Sequence, residues 1–172
     1  MLWGFFLKVV VADRLAVYVD SVYSAPHQFY RAPLLLATYF FAFQIYADIA
    51  GYSAIAISSA KIMGFDLMEN FHYPYLAASV SEFWKRWHIL LSTWFRDYVY
   101  KPLGGNRVSK SRWIYNIMAV FLISGMWHGV NWTFLVWGAI HGLYLIIYMR
   151  TKKLQAKILN IIGIENSPGL KK

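Results

Sequence analysis

The side chains best equipped for chemistry at neutral pH here are five histidines, His27, His72, His88, His128 and His141, in a chain with no cysteine. Imidazole is the group whose ordinary pKa lies nearest neutrality. The absence of cysteine removes a thiol nucleophile and any thiolate metal site. His27 and His72 lie in polar linkers and are given no role. The other three lie in or beside apolar helical stretches, where a histidine often serves only as an interhelical hydrogen-bonder. His128 has more to recommend it. Trp127 precedes it, and Gly129 follows it and permits close approach of backbone or substrate. No metal site is expected, because His128 and His141 stand 13 residues apart without a neighbouring carboxylate and match no zinc spacing. A serine triad is equally unsupported: there is no G-x-S-x-G turn, and Ser92 and Ser124 are near histidines only in sequence. A lone general base remains. It would take the proton of a hydroxyl as that oxygen attacks an activated acyl group, with no covalent enzyme intermediate.

Such a base needs helices to hold it, and the composition says in what solvent. Of 172 residues, 59% are apolar, 19% aromatic and 15% charged, against roughly 45–50% apolar and about 25% charged in soluble domains. Mean hydropathy is +0.41. A core of this size cannot hide that much apolar surface, so lipid is the expected solvent. Disorder and a disulfide scaffold are excluded by the same numbers. The net charge of +9 does not point to nucleic acid. Its basic residues cluster beside apolar runs, at Lys101, Arg107, Lys110 and Arg112 and again at Arg150, Lys152, Lys153 and Lys157. They read as cytoplasmic loops contacting anionic lipids. Met1 leads straight into LWGFFLKVVVADRL, with no cleavable signal pattern.

The expected fold is all-α, a polytopic membrane bundle with one amphipathic interfacial helix. Met1–Val22 is apolar with four charges, Lys8, Asp13, Arg14 and Asp20, an interfacial helix or the end of a span. A span is expected near 34–57, after Pro33 in the favoured first turn. Within it Gln44, Asp48 and Tyr52 climb one face, and a carboxylate at such depth marks a functional or pairing site. Ser79-Val80-Ser81-Glu82 predicts a capped amphipathic helix near 80–100. Its apolar side carries Trp84, Trp87, Leu91, Trp94, Phe95 and Tyr98, with His88 at the margin. Pro102, Gly104 and Gly105 end it. Residues 113–149 carry no Lys, Arg, Asp or Glu and have basic flanks. If both flanks are cytoplasmic, this stretch is a hairpin turning at Gly129-Val130-Asn131. From Trp113 to His128 is about 24 Å of helix, so His128 lies at depth, reached from the far side. A basic tail, 150–172, follows, and the whole is read as one partial membrane domain.

Four stretches in order carry a resemblance: QIYADIAGYS (44–53), KIMGFDLMENFHYPYLA (61–77), SEFWKRWHILLSTWFRDYVYKPLGGNR (81–107) and GMWHGVNWTFLVWGAIHG (125–142). Together they resemble the membrane-bound O-acyltransferase family, over roughly Leu2 to Met149. The likeness is to the alginate O-acetyltransferase membrane-subunit branch, with the D-alanyl-lipoteichoic-acid enzymes more distant. Two departures stand out: Ala54 replaces the aspartate of a G-Y-S-D pattern, and Ser58-Ser59 stands where a glycine is common. Family members are much longer, so the chain is expected to be a fragment.

The resemblance implies a tunnel across the bacterial inner membrane, with an acyl donor presented from the cytoplasm and a hydroxyl acceptor from the other side. The family's invariant histidine falls on His128 and its second histidine on His88. The implied enzyme transfers an acyl group, expected to be acetyl, to hydroxyls of a cell-surface or exported polysaccharide such as alginate. His128 would be the base, His88 would support the donor or the proton path, and Trp127 and Trp132 would wall the site. Asp48, Arg86, Arg96 and Asp97 would pair within the membrane and shape the tunnel. No cofactor is expected to be bound; an acyl-CoA or acyl-carrier thioester is the co-substrate. Expected partners are membrane lipids, the polysaccharide and extracytoplasmic acyltransferase proteins, with no nucleic acid. Two other readings stay open, a non-catalytic conduit for acyl groups and an inactive fragment.

Overall fold

A computed structural model describes residues 1–129 and 131–161. Val130 of the expected turn, and residues 162–172 of the expected basic tail, lie outside the described residues. The chain divides into two compact units, Met1–His72 and Tyr73–Lys172; every regular element among the described residues is helical, and residues 65–73 are irregular.

The first unit is a pair of antiparallel helical arms. The first arm runs through α1 (Leu2–Phe5), a π-helical stretch (Phe6–Ala12) and α2 (Asp13–Ser24), so the apolar N-terminal segment is a continuous helical arm. The second is α3 (Ala32–Ile62), which starts with Pro33 in its first turn and covers the expected 34–57 span. The arms meet where side chains are smallest. A Cβ on Gly4 would lie 2.7 Å from the Gly51 carbonyl oxygen, and one on Gly51 would lie 2.8 Å from that of Gly4. Only glycine permits that approach. Farther along, Tyr18 packs edge-on against Phe40, and Tyr23 against Phe41, at centroid distances of 5.3 and 5.8 Å.

The second unit is built on an α-hairpin, α6 (Lys110–His128) against α7 (Trp132–Ile161). Ser109 caps α6, its hydroxyl accepting from the Arg112 amide. The helices run antiparallel: Gly142 lies beside Met118 and Phe121, Gly138 beside Phe121, and Gly125 beside Phe134. This is the hairpin expected from the charge-free stretch, and it brings Lys110 and Arg150 to one end. Ile117, Phe121 and Ile146 form its buried core, with Trp84 and Tyr100 packed against it. Asn116 is fully buried, and its amide donates to the Leu103 and Gly105 carbonyls at 3.1 and 3.2 Å. It therefore ties the glycine turn after residue 100 to α6.

The expected single amphipathic helix over 80–100 is corrected. Ser79 does cap α4 (Val80–Arg86), accepting from the Glu82 amide at 3.1 Å. The helix then breaks: Trp87 is extended and His88 is left-handed, with φ 44° and ψ 56°. α5 (Ile89–Phe95) and a π-helical stretch (Arg96–Tyr100) follow. Local periodicity is continuous across the break, so a tertiary cause is needed. Trp84 is held edge-on against Phe121 of α6 at 5.2 Å, which fixes the direction of α4 independently of α5.

α3 and Trp132–Lys152 of α7 are long and apolar enough to cross a bilayer, and only 22% and 17% of their most apolar windows are buried within the chain. The core helix of a soluble protein would be mostly covered; these present apolar surface outward. If the hairpin crosses the membrane twice, its flanks share a side. Single cysteines at Ser109 and Lys157, in a cysteine-free full-length background, should therefore respond alike to an impermeant thiol reagent on intact cells. Labelling of one with protection of the other would refute the two-crossing hairpin.

Candidate active site

Three histidines lie in the second unit, and two of them converge on one aromatic side chain. His128 ends α6. Its ring lies 5.1 Å from Trp127, 5.2 Å from Trp137 and 6.0 Å from Phe134. His141, one turn beyond Trp137 on α7, lies 4.7 Å from that indole and 5.2 Å from Trp84. Trp137 thus touches both imidazoles, and Trp84 touches Trp137 at 6.1 Å. His88 enters through the break after α4. Burial holds its imidazole below the ordinary value, against a backbone hydrogen bond, and charge on His128 pushes it the same way. Its neutral, proton-accepting form is thereby favoured.

The local backbone explains why His128 is presented rather than buried. α6 ends at Gly129, with φ +153° and ψ 158°, a conformation suited to glycine. A Cβ there would lie 2.9 Å from the Phe134 ring. Asn131 then caps α7, its side-chain Oδ1 accepting from the Thr133 amide at 3.2 Å. His128 and Trp127 remain exposed at the turn end of the hairpin, while Phe134 and Trp137 cover one side of the imidazole. The arrangement leaves an accessible imidazole in an aromatic frame, able to accept a proton from a hydroxyl group brought to it.

The other expected residues fall in different places. Trp132 opens α7 and is exposed. Arg86 pairs with Glu82 one turn earlier, at 2.5 Å. Arg96 and Asp97 pair with each other, and Lys101 joins Asp97 at 2.7 Å. Hydrogen bonds from Arg96 and Lys101 hold the Asp97 carboxyl down at about 2. Asp48 belongs to the first unit, where the Lys8 ammonium donates to it and Asp13 stands 3.7 Å from the same nitrogen. Each of the four charges thus satisfies a nearby partner, and none pairs with another of the set except Arg96 with Asp97. Among the described residues, no three His, Asp or Glu side chains are grouped as metal ligands.

Two residues of the cluster carry no role in the sequence reading. Trp137 is one, and its signal was present: it lies nine residues after His128 and four before His141 on a helix facing α6. Trp84 is the other in function, though its apolar face was legible. Its indole nitrogen is buried without a hydrogen-bond partner.

Residues 1–159 match the family model described as the membrane-bound O-acyltransferase family. The chain belongs to that family. Among its relatives is a probable alginate O-acetylase, AlgI, of Azotobacter vinelandii, 46% identical over 84% of this chain and 29% of that protein. A peptidoglycan O-acetyltransferase of Helicobacter pylori is 39% identical over 84% of this chain and 28% of its own length. A teichoic acid D-alanyltransferase of Streptococcus thermophilus is 34% identical over 81% of this chain and 36% of that protein. The chain spans less than a third of the length of the first two relatives. Membership accords with the all-helical, membrane-suited architecture of the membrane-bound O-acyltransferases and with the resemblance carried by the four motifs.

Proposed function

We propose that this chain is the histidine-bearing part of a membrane O-acyltransferase of the bacterial inner membrane. It would move an acetyl group from a thioester donor to hydroxyls of an exported or cell-surface polysaccharide. The observation that carries the reading is the exposed His128 imidazole, framed by Trp127 and Trp137 at the turn end of a charge-free hairpin. In the step, the acceptor oxygen forms its bond to the donor carbonyl carbon while His128 takes the hydroxyl proton. The carbon–sulfur bond then breaks, and the leaving thiolate takes up the proton held by the His128 imidazolium, which restores the neutral base. His88, whose burial favours the neutral imidazole, supports the donor or passes the proton on. Trp127 and Trp132 wall the acceptor approach. The local ion pairs of Arg86 with Glu82 and of Arg96 with Asp97 stabilise the helical segments of the second unit, and that of Asp48 with Lys8 joins the two arms of the first.

The 46% identity to an alginate O-acetylase favours alginate or a similar uronate polymer as acceptor. The 39% identity to a peptidoglycan O-acetyltransferase keeps a second glycan class in view. The donor is an acyl-CoA or acyl-carrier thioester, and the extracytoplasmic partner is an acyltransferase that works on the polymer. The test is labelled acetate incorporation into purified alginate and peptidoglycan by membranes containing the full-length protein. Label in neither polymer, with the protein present and folded, would overturn the acetyl-transfer reading.

A further inference from the structure

A second polar feature of the hairpin unit is not used by the proton chemistry at His128. Ser79, Ser81, Lys85, Arg86, Tyr148 and Lys152 line an open cavity of about 440 Å³ where α4 meets the later part of α7. Glu82 is the one carboxylate in the lining, and it is already engaged. It accepts from the Ala78 amide at 2.8 Å and from Arg86 at 2.5 Å. Lys85 and Lys152 are within ion-pair distance of no carboxylate among the described residues. Two unpaired ammonium groups, a guanidinium and three hydroxyls therefore face one space. That donor set, rich in charge and poor in acceptors, matches a phosphate.

The height of the cavity along α7 indicates the source of that phosphate. The apolar stretch able to span a bilayer runs from Trp132 and ends at Lys152, so the cavity sits where hydrocarbon gives way to headgroups. Tyr148 in its wall is suited to that level. The same end of the hairpin carries Lys110, Arg112 and Arg150, the charge pattern of a face that meets anionic lipid.

We propose that this cavity is a phosphate-binding site occupied by the headgroup of an anionic glycerophospholipid. The inference is independent of the acyl-transfer reading, and its test reads binding rather than activity. The full-length protein is purified in mild detergent, and phosphatidylglycerol and phosphatidylcholine are titrated in and followed by native mass spectrometry. Inorganic phosphate is titrated in a separate arm. The wild type should retain phosphatidylglycerol over phosphatidylcholine. The double variant Lys85→Gln/Lys152→Gln should weaken that retention about tenfold, Lys85→Arg/Lys152→Arg should preserve it, and Lys157→Gln should not change it. Each variant is checked for unchanged helix content and monodisperse elution. A variant that misfolds is replaced by the corresponding single substitutions, expected to weaken retention about threefold each. Phosphate binding that depends on the two lysines, without retained phosphatidylglycerol, would overturn the lipid source in favour of a soluble phosphoryl compound. Retention and phosphate binding equal in wild type and glutamine variant would overturn the site.

Discussion

Alanine at position 128 of the full-length protein is expected to abolish acyl transfer while leaving membrane insertion intact. A positioned base contributes roughly 10²–10⁴-fold, and with no cysteine in this chain a thiol detour from within it is closed. The side chain is exposed at the end of α6, so its removal opens no core cavity and the loss should be chemical. His88→Ala should lower the rate less completely, because that residue lies at the break between α4 and α5 and supports rather than deprotonates. The structure changes the expectation for His141. From sequence it serves as a control whose mutation acts through folding and expression. Its ring instead lies 4.7 Å from the same Trp137 that touches His128. His141→Phe separates the possibilities. Packing alone predicts near-normal acetate incorporation per protein, whereas a proton-handling role predicts a loss approaching that of His88→Ala. Most activity retained in His128→Ala, together with complete loss in His88→Ala, would reverse the assignment of base and support. A conduit that hands acyl groups to a separate enzyme would tolerate the change at 128 altogether.

The second large effect concerns the hairpin that presents His128. A Cβ on Gly138 would collide with the backbone carbonyl oxygen of Phe121, and one on Gly125 with that of Phe134. Backbone cannot swing aside as a side chain does, so Gly138→Val must push α6 and α7 apart. Overpacking of this kind costs about 1–3 kcal/mol. Separating the helices should also pull Trp137 from His128, reducing activity and thermal stability together. Gly142→Ala is the matched comparison: its Cβ would meet the Met118 sulfur at 2.8 Å, the flexible part of an adaptable side chain. It should shift the melting temperature of the detergent-solubilised protein far less. Equal stability for Gly138→Val and wild type would show that the helices do not meet as closely as described.

The spans, the turn and the histidine at its end were legible in the sequence, because each rests on a local or solvent-driven rule. Apolar length sets α3 and α7. The charge-free stretch with basic flanks sets the hairpin, and Gly129 marks its turn. Ser79 announces the helix that it caps. What depended on packing was not legible. The periodicity of 80–100 is that of one helix, yet the chain breaks at His88 with a left-handed backbone, while Trp84 before the break packs on Phe121, Trp137 and His141 of the hairpin. Lys8 and Asp48 stand 40 residues apart, and nothing local says that they pair. Likewise the 13 residues between His128 and His141 set them on different helices, which argued against a shared role. An antiparallel hairpin brings such positions together because a turn reverses the chain, and the side chain on which both converge, Trp137, is chosen by helix register. Sequence thus determined which segments are long and apolar enough to cross a bilayer and where the hairpin turns. Tertiary structure decided which aromatic rings surround each imidazole, because those contacts depend on the close approach that Gly125, Gly138 and Gly142 allow.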